Sequence, residues 1–98
     1  VDFNPAVGGE ITKIRPAVVV SNDSANRHLN RVAVVPLTSN TTRLFASQAY
    51  VELEGQRRKA MADQLMTVSK LRFRRLAGRL TRDAIVDIER AIRTHLSL

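Results

Sequence analysis

At 98 residues, 44% of them apolar, the chain is long enough for one small core and too short for two, and residues 1–98 read as a single domain. The absence of cysteine excludes disulfides and thiolate-held zinc or iron–sulfur centres, and His28 and His95 are too few and too far apart to suggest a transition-metal site, so no metal and no cofactor is expected. No run of eighteen apolar residues and no charged-then-apolar leader occurs, which leaves the cytoplasm as the expected compartment.

The formal net charge is +7, and thirteen of the sixteen basic residues are arginine, whose planar fork matches phosphate. The first 49 residues carry five basic and three acidic groups, whereas the rest carry eleven and six. Lys70, Arg72, Arg74, Arg75, Arg79 and Arg82 follow one another without an intervening acid. Such a run reads either as a solvated face or as the footprint of a polyanion, and the overall charge points to nucleic acid or an acidic protein.

In chain order, Pro16-Ala17-Val18-Val19-Val20 is β-branched and bounded by Pro and by Ser21-Asn22-Asp23-Ser24, as in a buried strand followed by a turn. Residues 24–29 fit one helical turn. Residues 31–36 form a second apolar strand, and Thr38-Ser39-Asn40-Thr41-Thr42 reads as loop. Ala49 to Leu53 alternates as a half-exposed strand should, stopping at Glu54-Gly55. Lys59–Met66 and Leu76–Leu80 are shorter strand candidates. Thr81 then caps a helix with Asp83 in its first turn, placing Ile85, Ile88, Ile92 and Leu96 on one stripe and Glu89 and Arg93 on the solvent side as an i,i+4 pair. Short strands with one late helix predict a mainly β small barrel or curled sheet carrying a C-terminal helix, because helices do not alternate with the strands.

Common catalytic signatures are missing. No Gly-rich phosphate loop precedes a helix, and no HExxH, paired-carboxylate or GxSxG pattern appears. Gly8-Gly9 alone reads as a turn. An enzyme built from this chain works with Arg, Thr, Ser, Asn, His or an isolated carboxylate.

Several segments, in order, resemble one family. Val1-Asp2-Phe3-Asn4-Pro5, Gly8-Gly9-Glu10 and the run from Arg15 to Asp23 look like the opening of the MazF/PemK toxin endoribonucleases. Val34-Val35-Pro36-Leu37-Thr38-Ser39, Asp63-Gln64-Leu65-Met66-Thr67-Val68 and Leu76-Ala77-Gly78-Arg79-Leu80 with the helix are similar to its later motifs. Together they span nearly the whole chain. Members begin with a strand ahead of the Val1-Asp2 position, so the first strand reads as incomplete here. The resemblance implies a small SH3-like barrel, a homodimer and an acidic, partly disordered antitoxin. It also implies metal-independent cleavage of single-stranded RNA at short sequence motifs, in which the ribose 2′-OH attacks to leave a 2′,3′-cyclic phosphate and a 5′-OH.

On that resemblance Arg15 and Thr38 are the catalytic candidates, the first pairing with phosphate oxygens as charge builds and the second donating its hydroxyl to the same phosphate. Gly9, Glu10, Ser39, Asn40, Gln64 and Thr67 are the RNA-binding candidates; Gly9 stands where many relatives carry Ser. For Gln64 and Thr67 a polar pair at a strand end is an equal reading. The general base is left open, because arginine is a poor proton acceptor. His28 reads as a loop residue that could reach a groove, His95 as a partner of the helix dipole. Loops 6–14 and 39–48 are expected to set the target sequence. A gyrase poison of the same superfold and a silent RNA-binding barrel are the competing readings, though the tail His95-Leu96-Ser97-Leu98 lacks the aromatic end the former resembles.

Overall fold

The structure, a computed structural model, describes residues 1–3 and 14–98. Five strands form one sheet: β1 (Ala17–Val19), β2 (Arg31–Thr38), β3 (Gln48–Leu53), β4 (Gln56–Met61) and β5 (Met66–Ser69). The helices are α1 (Asp23–His28) and α2 (Arg82–Leu96). The mainly β architecture with a C-terminal helix is the one the sequence pattern predicts.

The long strand β2 organises the sheet. It pairs antiparallel with β1, where Val18 faces Val35, with β5 over Arg31–Val34, and with β4 at Leu37 and Thr38. Strands β3 and β4 form a hairpin in which Glu54 and Gly55 both take positive φ, the turn at Glu54-Gly55 that the sequence marks. Because side chains alternate along a strand and directly opposed residues share a face, the register sorts this sheet into two surfaces.

One surface holds Val18, Val35, Leu37, Ala49, Val51, Leu53 and Ala60 and is covered by Ile88 and Ala91 of α2. The other gathers Val32, Val34 and Val68 around Phe3. Thr38 belongs to this second surface, at the open end of β2.

Helix α2 follows its local signals at the start, where the Thr81 hydroxyl accepts from the Ala84 N–H at 3.2 Å. Its apolar stripe is shorter than the spacing predicts: Ile88 is buried and Leu96 is 48% exposed, because the helix runs past the sheet before its last turn. Ala91, not part of the predicted stripe, is fully buried. Among the described residues the ion pair on this helix is Arg90–Asp87 at 2.7 Å, in place of the Glu89–Arg93 pair.

Three strand boundaries differ from expectation. Thr38 closes β2 instead of opening the loop. The 59–66 candidate is broken by a 3-10 turn at Ala62–Gln64, so Lys59 ends up in β4 and Met66 in β5; β2 contacts both strands in succession and the chain must step from one to the other. Leu76–Leu80 forms no strand. Leu76 is 83% exposed while Ala77 and Leu80 pack against the core, so burial does not follow the alternation of a strand, and at Gly78, with φ 155, the backbone leaves the regular β conformation. The segment instead lies along β1, and the two enclose an apolar cleft of about 600 Å³ lined by Val18, Val19, Leu53, Phe73, Leu76 and Leu80.

Candidate RNA-cleavage site

Arg15 immediately precedes β1, and its backbone is fixed by two bonds with Val1: the Arg15 N–H donates to the Val1 carbonyl and the Val1 nitrogen donates to the Arg15 carbonyl, each at 2.9 Å. Thr38 lies across the sheet at the end of β2. The Arg15 guanidinium Nη1 reaches the Thr38 hydroxyl at 3.5 Å, the outer limit of a hydrogen bond. Two residues 23 apart in sequence are thus brought to one place. The backbone N–H of Asn40 donates to the same oxygen at 3.2 Å. With both lone pairs so engaged, the Thr38 O–H proton is left to donate to a third group.

The remaining candidates distribute differently. Ser39 and Asn40 are exposed immediately beyond Thr38, and Asn40 Oδ1 turns the loop by accepting from the Thr42 N–H and hydroxyl. Gln64 sits in the 3-10 turn, where its amide contacts Met61 Sδ at 3.8 Å. Thr67 is exposed on β5 opposite Ala33, five positions along β2 from Thr38, which is roughly 16 Å at strand rise. Gly9 and Glu10 lie outside the described residues, as does most of the 6–14 loop.

Neither histidine stands beside Arg15 and Thr38. His28 Nδ1 bonds the Ser24 carbonyl within α1 at 2.8 Å, so it is a helix residue and not a loop residue, and His95 Nδ1 meets the Ser47 hydroxyl at 3.3 Å. Among the described residues no three His, Asp or Glu side chains gather as metal ligands would.

A second group of side chains lies outside every motif named from the sequence. Loop 39–47 is held from below by side chains of the hairpin and α2. The Tyr50 hydroxyl donates to the Thr41 carbonyl at 2.8 Å, and Lys59 Nζ donates to the Arg43 carbonyl at 2.9 Å. Gln48 Oε1 accepts from the Phe45 N–H, while its amide donates to Asp63. Arg90 donates to the carbonyls of Ala46 and Gln48 at 3.0 and 2.8 Å. The available signal was Lys59 itself, a cation entering the apolar run Ala60-Met61-Ala62.

Comparison with known proteins agrees with this architecture. A family model described as PemK-like, MazF-like toxin of type II toxin-antitoxin system matches residues 1–96. Endoribonuclease MazF9 of Mycobacterium tuberculosis is 35% identical over a 107-residue alignment that covers 100% of this chain and 91% of the relative. A solved mycobacterial endoribonuclease in complex with its cognate antitoxin matches with TM-score 0.77 and 28% identity, over 86% of this chain and 82% of that one. MazF from Deinococcus radiodurans has TM-score 0.86 at 19% identity, over 99% of this chain and 89% of that one, a likeness of fold.

Proposed function

The chain belongs to the PemK-like, MazF-like toxin family of type II toxin–antitoxin systems, and from that premise we propose that it is an endoribonuclease cutting single-stranded RNA at the Arg15–Thr38 centre. The observation that carries the reading is the meeting of the Arg15 guanidinium, just before β1, with the Thr38 hydroxyl, at the end of the antiparallel neighbour β2. The cut proceeds by attack of the ribose 2′-OH on the adjacent phosphorus, which breaks the bond to the 5′ oxygen and leaves a 2′,3′-cyclic phosphate and a 5′-OH. Negative charge grows on the non-bridging oxygens as the bond forms. A guanidinium fork and a hydroxyl proton already held in place stabilise that charge without reorganising, which is where preorganised donors lower a barrier most. Ser39 and Asn40 then meet the nucleotides flanking the cut, with Gln64, Thr67, Gly9 and Glu10 as further RNA contacts.

Metal independence is supported by the scattering of the acidic side chains: among the described residues no three His, Asp or Glu groups stand together as ion ligands would. A homodimer is supported by the apolar side chains left exposed on and beside β1, among them Val19, Phe73 and Leu76. An acidic antitoxin segment as the inhibitor is supported by the +7 charge and by the solved complex of a relative. No described helix is long and apolar enough to cross a membrane, and a cytoplasmic site of action is where an RNase toxin meets its substrate.

Incubation of a defined long RNA with the protein in EDTA tests the reading directly. Discrete cuts with 5′-OH ends are expected, with the same sequence spared when base-paired. A strict need for Mg²⁺, or intact RNA alongside trapped gyrase–DNA complexes, overturns it.

A further inference from the structure

The register places Thr38 of β2 opposite Lys59 of β4, and Lys59 opposite Tyr50 of β3. Opposed residues share a sheet face, so these three polar side chains form a row on the surface away from α2. Two of them reach up to the loop that follows Thr38: Tyr50 to the Thr41 carbonyl and Lys59 to the Arg43 carbonyl.

Lys59 is the unusual member. It is only 8% exposed, and among the described residues no carboxylate neutralises it. Burying an ammonium costs far more than burying the methylene stem returns, so a lysine at this depth depends on a well-placed acceptor. The backbone carbonyl of Arg43 is that acceptor. The bond is charge-assisted and partly shielded from water, which makes it stronger than the exposed side-chain contacts within the loop.

What Lys59 holds is an exposed pair. The Arg43 guanidinium lies 4.7 Å from the centroid of Phe45, and Phe45 is 51% exposed. A cation over an exposed aromatic ring is suited to an unstacked base, and it lies a few residues beyond the Asn40 amide that bonds Thr38. Arg57 stacks on Tyr50 at 3.6 Å and limits the movement of the second tether.

We propose that Lys59 is a positioning residue for RNA selection: its buried ammonium on the Arg43 carbonyl fixes the 39–47 loop and its Arg43–Phe45 pair beside the Arg15–Thr38 centre, and so decides which bases reach that centre. This rests on the endoribonuclease reading. Lys59 acts through the loop and touches no reacting atom.

Two measurements test it on Lys59→Met, which keeps the stem and removes the charge, with Tyr50→Phe as a milder second variant. In the RNA-free protein, trypsin is expected to cut after Arg43 about tenfold faster in Lys59→Met than in wild type at a temperature well below both melting transitions, with the cuts at the other shared sites unchanged. On a long RNA of known sequence the KM is expected to rise about tenfold while kcat changes less than about threefold, and new cut positions are expected to appear. Lys59→Arg, which retains a donor, is expected to restore part of the wild-type cut map, and Tyr50→Phe to shift both readouts in the same direction by less. A wild-type trypsin pattern in both variants overturns the tether. A raised KM with an unchanged loop makes Lys59 a direct phosphate contact and overturns the positioning role. If wild type cuts no RNA, it is the endoribonuclease reading that fails, and the trypsin comparison still decides the tether.

Discussion

Two of the described stretches without regular structure, 39–47 and 73–81, are kept in place by different means. Loop 39–47 is bound carbonyl by carbonyl to Tyr50, Lys59 and Arg90. The stretch 73–81 carries Leu76 at 83% exposure and is attached by the packing of Ala77 and Leu80 on the core and by ion pairs at the surface, Arg74 with a half-buried Asp2 and Arg75 with Glu54. Exposed pairs of this kind contribute little once solvent screening is counted. The difference teaches that the absence of secondary structure says nothing about precision. The loop beside Thr38 is held by hydrogen bonds, which fix direction as well as distance, whereas the 73–81 stretch leaves apolar groups such as Leu76 in contact with solvent.

Substitutions should separate the two regions by the size and kind of their effects. Removing the fork with Arg15→Ala should lower kcat by at least about 10²–10³, the usual cost of losing one preorganised oxyanion donor. Arg15→Lys should recover little of it, since an ammonium supplies a point charge without the fork. Circular dichroism and Tm should be those of wild type; a folded Arg15→Ala protein that cuts normally would remove Arg15 from the centre. Thr38→Val, which keeps the shape of the side chain and deletes the hydroxyl, should cost about ten- to a hundredfold in kcat with little change in KM. An effect confined to KM would show that the hydroxyl binds RNA without following the charge.

The next effects are on stability. Arg90→Ala strips donors from the Ala46 and Gln48 carbonyls and should cost about 1 kcal/mol, seen as a fall in Tm of roughly 4–8 °C for a domain of this size. No change in Tm would mean that water replaces the guanidinium without loss, and the comparison between the regions would lose its basis. Smallest for the single chain is Leu76→Ser, expected to move stability by less than about 0.5 kcal/mol because the side chain is already exposed. The same substitution should nonetheless weaken self-association in sedimentation. Unaltered self-association would place the dimer contact elsewhere.

Much of the fold is legible in local sequence. The strands around Val18, Val34 and Val51 and the turn at Glu54-Gly55 follow from apolar runs bounded by turn residues. The Thr81 cap and the 3.6-residue spacing of Ile85, Ile88 and Ile92 mark α2. Arg15 and Thr38 are legible in another way, through ordered motifs that resemble those of a family. The 59–66 candidate divides into the end of β4 and the start of β5 because the two pair with different parts of β2, and 76–80 satisfies a strand pattern locally without any strand pairing with it.

The sequence by itself determined the class of fold, the capped helix, the basic charge and the residues to examine, because propensity, capping and net charge are properties of neighbours along the chain. The meeting of Arg15 with Thr38 was decided by the tertiary structure, through the pairing of β1 with β2 and of Val1 with Arg15. So was the burial of Lys59. A lysine in β4 reads as a solvent residue until the register places it between Thr38 and Tyr50 and a loop carbonyl closes over it. Register and burial are set by contacts between residues far apart in the chain, and no window of neighbours contains them.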